Sequence, residues 1–145
     1  MPIPWLLALL NSNVTSALLQ AVAPTIHFQV GDIAILPVPA EELGDVGDRV
    51  ETLVTTSKLD WDDFETSWEF RTNPLIANSH GRPLVETVAI TLRLWGELSE
   101  RQQSLEEENN RAVAKLYDLA EEVMPSDVPL ERVSLPRNTL CVRIR

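Results

Sequence analysis

Four carboxylates within six residues, Asp60, Asp62, Asp63 and Glu65, come nearest in this chain to a grouping that could do chemistry. In principle they could hold a divalent cation or supply an acid and a base. The glycine-centred twelve-residue spacing of helical calcium loops is absent, however, and the carboxylate pairs of glycosidases are set by separation in space, not by proximity in sequence. They read as a solvated acidic face. Trp61 and Trp68 lie among them and could stack on unpaired bases. Single-strand binders combine such rings with a basic groove for the backbone, whereas five carboxylates, Glu69 included, surround these two. Core or interface packing is the better reading of a periodic aromatic stripe.

Thr25, His27 and Gln29 alternate with Ile26, Phe28 and Val30, so a half-buried strand over 25–30 would place the three polar side chains on one face. Such side chains can donate to phosphates or base edges, which makes them the better candidates for facing DNA. A polar face, solvated or covered by another part of the protein, is also the ordinary condition of a sheet strand. His80 sits in a Ser-His-Gly-Arg turn without a partner for metal or nucleophilic chemistry, and no Cys/His pair has metal spacing. The single cysteine, Cys141, excludes an internal disulfide, fits a reducing cytoplasm and reads as a small buried apolar residue.

The elements that would position these residues are mainly helical. Pro4 suits the first turn of a helix through Leu10, and Asn11 or Ser12 can cap a second one that carries Val14, Leu18, Leu19 and Val22 and stops at Pro24. Val46, Val50 and Val54 predict a helix over 46–55, with Ser57 or Asp60 capping the next. In that next helix Trp61, Phe64 and Trp68 fall at i, i+3 and i+7 and form an aromatic docking face, with the acidic side chains pointing elsewhere. Arg71 to Pro83 supplies turn chemistry and a hinge.

From Leu84 to Val123 a 3,4 spacing persists through Val88, Thr91, Trp95, Leu98, Gln102, Leu105, Asn109, Ala112, Leu116, Leu119 and Val123. A continuous helix of that length would extend about 60 Å, and Gly96 or the polar positions could bend it. The pattern favours a helical hairpin arm or coiled coil in which Gln102 and Asn109 set register, and Trp95 joins them as a candidate docking residue. Leu140, Val142 and Ile144 alternate with Cys141, Arg143 and Arg145, which predicts a short final strand. The expected class is mainly α with minor β.

At 44% hydrophobic the chain is long enough for one ordinary core. Its 12 basic and 22 acidic residues leave a net charge of −10, the wrong sign for an autonomous DNA binder, so isolated DNA binding should be weak. Residues 1–31 contain no Asp, Glu, Lys or Arg. A signal peptide would need a positively charged start, and a membrane span is interrupted by Asn11, Ser12, Asn13, Thr15, Ser16 and Gln20. The expectation is that this segment packs against protein upstream of Met1.

The stretch Asp60-Trp-Asp-Asp-Phe-Glu-Thr-Ser-Trp-Glu-Phe70 resembles the DWDSFETSWDF signature in the C-terminal part of the PglX family, the adenine-specific DNA methyltransferases of BREX phage-defence systems, and departs from it at Asp63 and Glu69. Upstream, Leu10-Asn11-Ser12, Ala23-Pro24-Thr25 and Phe28 to Ala34, then Leu36-Pro37, are similar to the family's LNS, NPT and NFQVGDIANLPI pattern. Downstream, Glu107 to Arg111, Leu116 to Leu119 and Glu122 to Pro125 are similar to its EELNRIFIDIYGLQDELTP run. The resemblance covers most of residues 6–125 in family order.

It implies a parent enzyme that transfers a methyl group from S-adenosylmethionine to the exocyclic amine of adenine, in a restriction-modification-like system. Such an enzyme needs a glycine-rich loop for the cofactor and an Asn-Pro-Pro-Tyr-like tetrad for the flipped base. Neither occurs here: the ten prolines include no adjacent pair, and Gly44 and Gly47 lie in an acidic stretch without strand-to-helix context. The expectation is therefore a noncatalytic C-terminal fragment that binds no cofactor itself. Residues 1–40 would be the trailing part of a target-recognition region, 41–83 an acidic linker with an aromatic helical clasp, 84–124 a long helical arm and 125–145 a basic tail.

Its implied partners are the upstream methyltransferase domain, DNA in the context of the parent enzyme, and other components of the defence system, with no membrane. An independent acidic helical interaction module is the alternative reading, and a DNA mimic the next.

Overall fold

The computed structural model describes residues 3–23, 27–40, 46–121 and 124–135. Their regular structure is helical: α1 (Ile3–Leu10), α2 (Asn13–Val22), α3 (Val30–Ala34), α4 (Val46–Asp62), α5 (Pro74–Ala77), α6 (Leu84–Leu116) and a 3-10 turn at Leu130–Arg132. No strand occurs among the described residues, so the minor β content expected from sequence is not supported.

Over the predicted strand at 25–30, Thr25 and Ile26 lie outside the described residues, His27 to Gln29 are irregular and Val30 opens α3. The physical reason is local. The Asp32 carboxylate accepts from the Gln29 N–H at 2.8 Å, and the Gln29 carbonyl accepts from the N–H groups of Asp32 and Ile33, so a helix start takes the bonds a sheet ladder would need. The predicted strand at Leu140 to Ile144 lies outside the described residues.

Ser12 ends one helix and begins the next. Its hydroxyl donates to the Leu9 carbonyl at 2.7 Å and accepts from the Thr15 N–H at 3.2 Å, while Thr15 Oγ1 also donates to Leu9. Orphan groups at the α1 C-terminus and the α2 N-terminus are thereby satisfied inside the protein, where water is excluded. No single helix among the described residues is long and apolar enough to cross a membrane; α1 and α2 would pass only as a pair, and they bend by 64° at their junction.

Helix α6 runs unbroken through Gly96 and stops at Leu116. Asp118 adopts the left-handed conformation (φ 53°), the Leu119 N–H returns to the Ala114 carbonyl at 3.0 Å and the Asp118 N–H to Lys115 at 3.1 Å. This is a Schellman stop with aspartate where glycine is usual.

The chain divides into two compact units, one of residues 1–51 with 105–127 and the other of 52–104 with 128–145. In the first, Trp5, Ala8, Leu9, Val14, Val46, Val50, Val113 and Ala114 form a buried cluster, with Leu18, Leu116, Tyr117, Leu119 and Met124 packed against it. In the second, Val128, Val133 and Leu135 form a smaller one with Leu98 and Leu130. Much of the remaining buried surface of the second unit is polar, including Asp60, Thr87, Thr91, Ser99 and Gln102.

Candidate functional site

The acidic and aromatic stretch folds at the end of α4, and it is not a helix of its own. Helix α4 continues past Ser57 and Asp60, either of which was expected to cap a following helix, and stops at Asp62. From there the chain proceeds by successive turns, with the N–H groups of Phe64, Ser67 and Phe70 bonded to the carbonyls of Trp61, Phe64 and Ser67. The predicted helical face of Trp61, Phe64 and Trp68 therefore does not form.

Side-chain bonding explains the stop. Ser67 Oγ donates to Asp62 Oδ1 at 2.7 Å and accepts from the Glu69 N–H at 3.2 Å, and Lys58 Nζ reaches both Asp62 Oδ2 and Glu69 Oε2 at 2.5 and 2.6 Å. The four side chains tie the turn back onto the last two turns of the helix. The hydrogen bonds from Lys58 and Ser67 hold the Asp62 carboxyl below the usual carboxylate range, and the bonds to Asp62 and Glu69 raise Lys58 above its ordinary value.

The knot displays its rings. Trp68 is 102% exposed, Trp61 is about half exposed, and Trp61 lies 6.1 Å from Phe64 between ring centroids. Trp61 and Trp68, with Lys58, Asp62, Thr66, Ser67 and Glu69, line an open depression of about 350 Å³. Of the two packings expected for the rings, core or interface, Trp68 is outside the core, and the expectation that the acids face solvent fails at Asp60, which is buried at 2%. The sequence carried a signal for Asp60: it continues the α4 stripe of Val46, Val50 and Ser57 at 3,4 spacing.

The remaining predicted residues that are described are divided between the two units. Thr25 lies outside the described residues, and His27 and Gln29 are exposed just before α3. Trp95 is half-buried within α6. Gln102 is buried in the second unit, where its Nε2 donates to Ser57 Oγ at 3.2 Å. Asn109 is buried in the first unit and donates to the Ala8 carbonyl, the C-terminal end of α1, at 2.9 Å.

Its neighbour Asn110, not singled out from sequence, does more. Asn110 Oδ1 accepts from the Asn13 N–H at 3.0 Å, and Nδ2 donates to the Ser126 carbonyl at 3.1 Å. Ser126 is held in turn by Glu121, whose two oxygens accept from its N–H and its hydroxyl. Those bonds, with a smaller contribution from Arg111, pull the Glu121 carboxyl below its ordinary value. Among the described residues no three His, Cys, Asp or Glu side chains gather to hold a metal ion.

No family model matches the chain. It is 36% identical over 140 residues to the adenine-specific methyltransferase PglX of Lacticaseibacillus casei (strain Zhang), a match covering 91% of this chain and 12% of that protein. It is 29% identical over 111 residues to the adenine-specific methyltransferase BrxX of Escherichia coli O9:H4 (strain HS), covering 77% of this chain and 9% of that protein. The chain thus spans only about an eighth or less of the curated relatives it matches. Over most of its length it is related to one short segment of the PglX and BrxX adenine-specific methyltransferases.

Proposed function

We propose that the chain acts as a noncatalytic assembly segment of an adenine-specific DNA methyltransferase of BREX phage defence, docking through its N-terminal helices onto the rest of such an enzyme. The observation that carries this reading is the two-sided apolar character of α1. One side buries Trp5, Ala8 and Leu9 in the first unit, while Ile3 (75% exposed), Leu6, Leu7 and Leu10 face outward. A helix that is hydrophobic all round is ordinarily covered all round. Phe28, Val30 (85% exposed), Ile33 and Ile35 add further exposed apolar groups, and no charged residue occurs before Asp32. Patches of this kind mark protein interfaces.

In this reading S-adenosylmethionine and the flipped adenine are held by other parts of the enzyme, and DNA meets this segment only in their company. The exposed His27 and Gln29 alternate in sequence with Phe28 and Val30, and no Lys or Arg precedes Arg49, which favours a protein contact there over phosphate contacts. The test is a Leu6→Glu/Leu7→Glu pair in a full-length methyltransferase carrying this segment, read by adenine methylation of host DNA. Both side chains lie on the outward side of α1, so the 145-residue chain bearing them should keep its helical circular dichroism while methylation falls at least about tenfold. Undiminished methylation would remove the reading.

A further inference from the structure

The depression at the end of α4 is built differently from the uncharged N-terminal surface and points to a different partner. Its walls are two indole rings, one wholly and one about half exposed, held outward by the bonds among Lys58, Asp62, Ser67 and Glu69. Asp62 and Glu69 line the depression against the single ammonium of Lys58, and the stretch from Lys58 to Arg71 that forms it carries five carboxylates against two basic side chains. A protein seldom leaves a tryptophan at full exposure, because its ring is the largest apolar surface a side chain can offer a partner. The negative faces of indoles, set in an anionic field, attract cations and repel phosphates.

We infer that this depression is a docking site for a basic protein segment, with an arginine or lysine side chain stacking on Trp68 and its charge facing Glu65 and Glu69. Arginine suits it better than lysine, because a guanidinium can lie flat on the ring and still donate in its plane to the carboxylates. The turn is fixed before the ligand arrives: Ser67 and Lys58 already set the positions of Asp62 and Glu69, so little ordering accompanies binding. The inference stands apart from the docking of α1, since it uses other residues in the other unit.

The test uses the whole chain and a fluorescently labelled arginine-glycine repeat peptide, read by anisotropy at low and physiological salt, beside the same peptide with citrulline in place of arginine. The arginine peptide should bind and the citrulline peptide should not. Trp68→Ala should weaken binding by about two- to fivefold, the worth of one exposed cation–π contact. Trp68 lies outside the core, so the variant's helical circular dichroism should be unchanged.

Glu65→Gln/Glu69→Gln should weaken binding more than Glu97→Gln/Glu100→Gln, which removes the same charge from exposed positions of α6 in the same unit. Equal losses from the two pairs would reduce the effect to net charge and overturn the inference. So would retained binding of the citrulline peptide, or an unchanged affinity in Trp68→Ala. Trp68-dependent binding of a single-stranded oligonucleotide would overturn it in favour of base stacking.

Discussion

Removing the Asn110 side chain should loosen the first unit more than any other single truncation on α6. The residue is 4% exposed and makes two hydrogen bonds to backbone, one to the first N–H of α2 and one to the carbonyl of Ser126. In Asn110→Ala the buried Ser126 carbonyl and the part-buried Asn13 N–H both lose their partner. With about 1 kcal/mol for each bond and a further part of the roughly 1–3 kcal/mol that a stranded buried group costs, the loss comes to about 3 kcal/mol. At a urea dependence of about 2 kcal/mol/M, the unfolding midpoint should fall by about 1.5 M.

Asn109→Ala is the internal comparison. Asn109 makes one bond, to Ala8, and its Oδ1 has no partner among the described residues, so truncation also deletes an unsatisfied buried acceptor. Its cost should be about half. Hydrogen exchange followed by mass spectrometry locates the effect: peptides over 3–22 should exchange faster in Asn110→Ala, and peptides over 84–100 should not. A midpoint shift below about 0.3 M, or acceleration spread evenly over both units, would refute the assignment of Asn110 as the tie between α2 and the 124–127 segment.

Ser12→Ala removes both the cap of α2 and the donor to Leu9, and should cost about 1–2 kcal/mol, read as a fall in Tm of roughly 4 °C or more. Asp118→Gly should instead stabilise by about 0.5–1 kcal/mol, because glycine carries no penalty at φ 53° and a negative charge leaves the C-terminal end of α6; an increase in the urea midpoint checks it. Glu121 has a folded-state pKa depressed below its unfolded value by the two bonds from Ser126, so its contribution is complete above the ordinary carboxylate range and is lost as pH falls through the depressed value. Glu121→Gln should therefore flatten the acid limb of the stability profile, measured as Tm between about pH 6 and pH 2, and leave the profile at higher pH parallel to that of the parent chain.

What could be read from sequence was local and short in range. Asn11 or Ser12 before a run with Val14, Leu18 and Leu19 announced a cap, which Ser12 provides, and Val46, Val50 and Val54 announced a stripe of α4 of which Val46 and Val50 are buried and Val54 is exposed, because each signal lies within one or two helical turns. The α4 terminus was not legible for the opposite reason. Trp61, Phe64 and Trp68 have helical spacing, and spacing alone cannot report that Ser67 bonds Asp62 and bends the chain before a second turn of helix forms. Period-two alternation failed similarly over its described part, 27–30, since Asp32 takes the Gln29 N–H that a strand partner would need.

The long helix shows why an apolar seam was only half of the message. Along α6 the buried residues are Thr87, Thr91, Ser99, Gln102, Asn109 and Asn110, with only Val113 and Ala114 apolar. Apolar area tolerates a small shift in register better than a buried amide does, since the amide is stable only where its partner stands. Gln102 finds Ser57 Oγ, Asn109 finds Ala8 and Asn110 finds both Asn13 and Ser126. A slip of one residue would strand these groups at once, so the polar side chains bind each stretch of α6 to particular partner atoms, backbone for Asn109 and Asn110 and a hydroxyl for Gln102. Sequence reading picked out Gln102 and Asn109 as polar positions in an apolar seam; the bonds of Asn110 were invisible, because its partners are main-chain atoms 97 and 16 residues away that no side-chain pattern records.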